Sequence, residues 1–166
     1  MRNDRREAFE RLCRDEYAAL VRTAYLITGD REESLDLAQE ALARAYERWR
    51  SVSQLDRPGA WLHRVVVNLA ISWRRRQKIR LTKLGLSSPG PTPGPEPPDL
   101  ELFQALRELS PAQRAVVVLR YYTDQSIEDV AQALGKRPGT VRALASQGLA
   151  RLRESLQGEV INEVPA

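Results

Sequence analysis

Apolar positions recur every three to four residues along almost the whole chain, and one stretch breaks the pattern. Phe9, Leu12, Tyr17, Leu20, Ala24 and Ile27 mark an amphipathic helix that stops near Gly29. Asp30, with Glu33 three residues on, signals a new start, and Leu35, Ala38, Leu42, Ala45 and Trp49 carry the next apolar stripe. The opposite face holds Asp36, Gln39, Glu40 and Glu47, so it is polar and acidic. After a loop of residues 51–57, Pro58 suits the first turn of a third helix with a core stripe of Leu62, Val65, Val66, Leu69 and Trp73.

The break is SSPGPTPGPEPPD, residues 87–99, nearly all proline, glycine and small polar residues. Such a stretch cannot bury apolar surface or sustain helical hydrogen bonds, so it reads as a linker. Beyond it, Leu100, Phe103, Leu106 and Leu109 form a short helix, and Ser110-Pro111-Ala112-Gln113 combines a cap, a first-turn proline and a capping-box glutamine. The valines of VVVLRYY favour strands, yet the capped start and the lack of alternation place them in a helix. The expected fold is therefore all-α, two small helical domains joined by a Pro/Gly-rich linker.

The last helical stretch, SIEDVAQALGKRPGTVRALASQGLARLR, reads as helix, tight turn and helix. Ser126 caps the first helix with Asp129 as its acidic partner, Val130, Ala131 and Leu134 form its apolar face, and Gly135 supplies a left-handed turn. Val141 and Leu144 pack back, which leaves Arg137, Thr140, Arg142, Ala143, Ser146 and Gln147 outside. This is the arrangement of a helix-turn-helix that reads nucleic acid; a plain helical hairpin is the alternative.

Charge sharpens the picture. Residues 1–81 hold 17 Lys/Arg against 12 Asp/Glu, a net +5, while residues 100–166 balance at 8 against 8. The excess concentrates in RRRQKIR, Arg74 to Arg80, a patch that attracts phosphates, although a basic run at a helix end also serves as a solvated face. Cys13 is the only cysteine, so no intramolecular disulfide and no cysteine cluster for a metal is expected. The charged N-terminus is unlike a signal peptide, and no run approaches the ~20 apolar residues of a membrane span, so a cytoplasmic protein without direct membrane contact is expected. His63, the only histidine, reads as a surface residue; Trp73 continues the core stripe, and Trp61 divides evenly between packing and base stacking.

Taken together, TAYLITGD, DLAQEALARAYERW, AWLHRVVVNLAISWRRR, LSPAQRAVVVLRYYTDQS and the terminal helix-turn-helix closely resemble an extracytoplasmic-function RNA polymerase sigma factor of the SigE-like kind. The resemblance implies a non-enzymatic transcription initiation factor without metal or cofactor. Sigma region 2 would occupy residues 1–81, a flexible linker 82–99, sigma region 4 residues 100–157 and a tail 158–166. It implies that Asp36, Gln39 and Glu40 face the clamp helices of the largest polymerase subunit. Trp61, Arg64, Asn68 and Ser72 would face the minus-10 element, the loop of residues 51–57 would receive an extruded base, and Arg74, Arg75, Arg76 and Lys78 would hold phosphates. Arg137, Thr140, Arg142, Ala143, Ser146 and Gln147 would face the minus-35 element, and residues 106–122 the flap tip of the other large subunit. Ala143, Leu144 and Gln147 depart from the family's usual run of polar and basic residues there. An anti-sigma factor is a further partner that the resemblance allows.

Two other classes compete. A stand-alone helix-turn-helix regulator accounts for the last third of the chain but not for the minus-10-like helix or the linker. An enzyme lacks a glycine-rich phosphate loop, a histidine pair or a nucleophile motif.

Overall fold

A computed structural model describes residues 2–94 and 100–162, with side chains through residue 157. Among these residues there are helices and no strands. They fall into two units, Met1–Pro95 and Glu96–Ala166.

The first unit is built from α1 (Arg2–Thr28), α2 (Arg31–Glu47), a single turn α3 (Trp49–Val52) and α4 (Pro58–Leu84). Gly29, at φ 65°, ends α1, and the Asp30 carboxylate accepts from the Glu33 N–H at 3.0 Å to start α2. The turn is tightened by the Thr28 and Ser34 hydroxyls, which meet at 3.0 Å. Helix α2 packs through Leu37, Ala38, Ala41 and Ala45, small residues that let the neighbouring backbones approach. The buried stripe is thus rotated from the expected one: Leu35 and Leu42 are only half-buried. Trp49 belongs to α3, where its ring meets Phe9 edge-on at 5.3 Å.

A similar rotation occurs in α4. Leu62, His63, Val66, Val67 and Ala70 are buried, whereas Val65, Leu69 and Trp73 are half-buried. The expected stripe followed the largest apolar side chains; the observed one follows the face wedged between α1 and α2, where alanine and histidine fit and larger groups flank the seam. Helix α4 also runs past the proposed boundary at residue 81. Its end is closed by Gly85 at φ 66°, with the Leu86 N–H donating to Leu81 O at 2.9 Å, a left-handed cap that places residues 82–84 in the helix and out of the linker.

The second unit comprises α5 (Leu100–Glu108), α6 (Pro111–Val117), a wide π-helical turn over Val118–Tyr122, α7 (Ile127–Leu134) and α8 (Pro138–Asn162). The capping box at Ser110 is complete: its hydroxyl accepts from Gln113 N–H, and the Gln113 amide oxygen accepts from Ser110 N–H, both at 3.2 Å. Arg114 is only 3% exposed. Its guanidinium donates to the carbonyls of Leu106, Arg107 and Leu109 at 2.8, 2.7 and 3.1 Å, at the end of α5 where the regular helical bonding runs out. Helix α8 continues through residues 158–162, which the sequence placed in a tail; residues 163–166 lie outside the described ones.

Gly148 sits where α8 crosses α6, and a Cβ there would lie 2.7 Å from Val117 Cγ2. Alanine is the better helix former by about 1 kcal/mol, but overpacking against a stiff β-branched side chain costs about 1–3 kcal/mol. Gly148→Ala is expected to lower the urea midpoint of this unit, and adding Val117→Ala, which opens space for the new methyl, to make the Gly148→Ala change favourable. A rise in stability from Gly148→Ala alone would show that the crossing tolerates a side chain.

Candidate nucleic-acid interface

Helix α2 presents Asp36, Gln39 and Glu40 to solvent. Their exposure follows from the alanine seam on the opposite side. Glu40 pairs with Arg44 one turn on at 3.0 Å, an exposed contact of little energetic weight that leaves the carboxylate exchangeable. Glu33, at the start of the same helix, has its carboxyl pushed up by burial and then by the neighbouring Asp36 and Asp30 carboxylates; Arg76 and a hydrogen bond from the Trp73 indole act the other way. The acidic edge of α2 therefore adjoins the basic part of α4. Trp73 spans the two, its ring half-buried and its N–H on Glu33.

On α4, Trp61, Arg64, Asn68 and Ser72 are half-buried and lie three to four residues apart, so they share one stripe. Arg75, Arg76 and Lys78 are exposed. Arg74 is not: its guanidinium turns inward and donates to Ile27 O at 2.9 Å, binding the end of α1 to α4. That contact gives Arg74 a structural task in place of the phosphate role expected of it. The basic surface continues instead through Arg80 and Lys83, which with Arg76, Ile79 and Leu84 line an open hollow. Arg80 closes the run RRRQKIR, whereas Lys83 lies past the expected boundary at residue 81 and joins the basic surface because α4 continues to Leu84.

His63 is the clearest correction. It is buried rather than on the surface, with Nδ1 2.9 Å from Thr23 Oγ1 and Nε2 3.2 Å from Glu16 Oε2. A neutral imidazole with its proton on Nε2 completes this chain, accepting from threonine and donating to glutamate. The Glu16 carboxylate also lies against Gly59 in the first turn of α4, where a Cβ would strike it and where the helix dipole favours negative charge. One polar relay thus ties α1 to the start of α4.

In the second unit Ser126 accepts from Asp129 N–H at 3.0 Å, Gly135 takes φ 62° and Lys136 N–H closes on Ala131 O at 3.0 Å. Helix α8 then begins at Pro138, with Val141 and Ala145 buried against the preceding helices. Arg137, Thr140, Arg142, Ala143, Ser146 and Gln147 are all exposed. Glu128 approaches Arg142 only at 4.0 Å. Val116, Val117 and Val118 are fully within the core, so the exposed apolar groups near the π-helical turn are Tyr121 and Tyr122, with Arg120 over the Tyr121 ring at 5.6 Å. Nothing in the sequence signalled that turn.

An exposed basic helix in one unit and a helix-turn-helix with an outward polar face in the other define a two-module nucleic-acid-binding protein. Residues 12–79 match the family described as sigma-70 region 2, and residues 99–152 match sigma-70, region 4. The RNA polymerase sigma-E factor of Streptomyces coelicolor is 38% identical over 89% of this chain and 85% of its own length. The ECF RNA polymerase sigma factor SigL of Mycobacterium tuberculosis is 34% identical over 90% of each. Among solved structures, the sigma factor RpoE from Bartonella quintana, crystallised with the anti-sigma factor NepR, superposes with a TM-score of 0.78 at 25% identity, covering 91% of this chain and 98% of that one. The chain belongs to the extracytoplasmic-function RNA polymerase sigma factors, and it acts as an alternative sigma factor directing transcription. Among the described residues, no helix is long and apolar enough to cross a membrane, and no group of three or more His, Cys, Asp or Glu residues is placed to hold a metal ion.

The buried imidazole predicts a pH dependence. Burial, opposed by Glu16, holds the His63 pKa below its ordinary 6.5. The unfolded chain therefore takes up a proton first as pH falls, and stability is lost below about pH 6.5 until the folded pKa is passed. Glu33 acts in the opposite sense in more acidic solution, because a raised carboxyl pKa contributes stability that is lost as pH rises. Urea midpoints from pH 7.5 to 5, compared between the wild type and His63→Gln, are expected to fall more steeply for the wild type. Parallel curves would mean that His63 does not titrate differently on folding.

Proposed function

We propose that the first unit carries both the polymerase contact and the promoter-opening surface. Asp36, Gln39 and Glu40 bind the clamp helices of the largest subunit of core RNA polymerase. Trp61, Arg64, Asn68 and Ser72 face one strand of the minus-10 element, and Arg75, Arg76 and Lys78, joined by Arg80 and Lys83, hold phosphates. Base capture requires a nucleotide drawn from the stack at a cost of a few kcal/mol, and the surface that receives it is the loop expected at residues 51–57, of which α3 takes residues 51 and 52 and leaves 53–57 exposed beside the start of α4. The observation that carries this reading is the pairing, in one small unit, of an exposed acidic face on α2 with an exposed basic face on α4. Acid suits a protein partner with basic helices, and base suits DNA, so the module can hold both without competition.

The second unit reads the minus-35 element with Arg137, Thr140, Arg142, Ala143, Ser146 and Gln147. Gln147 has the amide that pairs with adenine, Arg142 the fork that suits guanine or phosphate, and Ala143 offers only a small apolar contact. Tyr121 and Tyr122 meet the flap tip of the other large subunit. The working compartment is the cytoplasm, and an anti-sigma factor is a partner in keeping with the NepR-bound structure of the Bartonella protein. Promoter recognition in this scheme needs both modules at once, because each alone has mainly phosphate affinity.

Asp36→Lys with Glu40→Lys tests the core contact. Both positions are exposed and lysine is a good helix former, so the helix is expected to persist while affinity for core polymerase falls by about tenfold or more. Binding is followed by co-elution or fluorescence titration alongside far-UV circular dichroism. Unchanged affinity in a folded variant would remove α2 as the contact surface.

A further inference from the structure

The Pro/Gly-rich stretch has an anchored end. Thr92 donates its N–H to Gly29 O at 3.0 Å, accepts the Arg31 N–H on Oγ1 at 2.9 Å and accepts the Tyr25 hydroxyl on its carbonyl at 2.5 Å. Gly94 lies flat against the Tyr25 ring, so closely that a Cβ there would overlap it. These partners are not incidental. The Arg31 N–H opens α2 and has no helical acceptor, the Gly29 carbonyl lies in the turn between α1 and α2, and the Tyr25 hydroxyl belongs to a residue only 6% exposed. Pro91 and Pro93 flank Thr92, and Pro93 restricts it to extended conformations, which reduces the entropy lost when it docks.

We propose that residues 92–94 form a releasable clasp on the α1–α2 turn that sets how much chain is free to join the two modules. With the clasp closed, six Cα steps separate Gly94 from Leu100, a contour of at most about 20 Å. With it open, the free chain runs from Gly85, fifteen steps or about 50 Å. The minus-10 and minus-35 elements are separated by about 25 base pairs, roughly 85 Å of duplex. Neither tether alone covers that distance and the breadth of the modules supplies the rest, so the short tether disfavours simultaneous engagement of two such distant elements and the long one favours it. The clasp is therefore closed in the free protein and opens when both modules engage promoter DNA, and its strength penalises wide spacing between the elements. This inference rests on the two-element reading proposed above.

Two measurements on the full chain test it. In the free protein, hydrogen exchange followed by NMR is expected to find the Thr92 amide at least about tenfold slower than that of Gly90 after correction for intrinsic rates, and Tyr25→Phe to reduce this difference. In the complex with core polymerase and a promoter fragment taken from mapped start sites, exchange by mass spectrometry is expected to show protection of residues 87–94 lost. Equal exchange of Thr92 and Gly90 in the free chain, or protection that persists once promoter complex has formed, overturns the clasp. On a spacer series with the same holoenzyme, Tyr25→Phe with Thr92→Ala is expected to gain about tenfold relative activity at the widest spacers without loss at the optimum; a spacer profile identical to the wild type overturns its role in spacing. Co-elution with core polymerase, run on the same samples, reports separately on the reading beneath it: a clasp present in the free chain without any polymerase complex contradicts the two-element function, and with it the proposed release.

Discussion

Everything in the first unit depends on burying one face of α4 between α1 and α2. That burial places Leu62, Val66, Val67 and Ala70 out of solvent, about 1.5–3 kcal/mol for each larger side chain, and leaves the opposite side of the same helix available. The seam carries a polar element as well, because the Thr23–His63–Glu16 chain fixes the start of α4 against α1, while Arg74 fixes its middle to the last turn of α1. Rotation of α4 about its axis is thus resisted by direct hydrogen bonds in addition to packing. The DNA-facing role proposed for α4 needs that restraint, since a rotation of one residue would carry Asn68 out of the half-buried stripe it shares with Trp61, Arg64 and Ser72.

The second unit solves a related problem by different means. Gly148 lets α6 and α8 cross closely, and Arg114 satisfies the carbonyls at the end of α5 inside the core. The helix-turn-helix is built on this base, with Arg137, Thr140, Arg142, Ala143, Ser146 and Gln147 exposed and Glu128 approaching Arg142 at 4.0 Å.

The elements themselves were legible in the chain because their signals are local. Asp30, Ser110, Ser126, Gly29 and Gly135 act through neighbours within four residues, and each cap formed as its residue type requires. Which face turns inward was less legible. Periodicity located stripes, but the choice between Val65 and Val67, or Leu42 and Ala41, depends on which other helices pack against each face. His63 turns inward for the same reason, as its partners Thr23 and Glu16 lie on another helix, and nothing local separates Arg74 from the other cations of its basic run. Thr92 left no local trace at all. A threonine among prolines looks like spacer, and only the tertiary fold brings it to the Gly29 carbonyl and the Arg31 amide.

The division of labour proposed for the two modules would make core polymerase part of the recognition apparatus, and that dependence is open to direct measurement. Transcription in vitro from a fragmented genomic library, with the purified chain and core polymerase, maps start sites and the sequences upstream of them. The expected result is a set of start sites that require the chain, each preceded by two elements at nearly constant spacing, while the chain without polymerase selects no sequence at physiological salt. Tight sequence-specific binding by the chain alone, with no start sites gained when core polymerase is added, would contradict it.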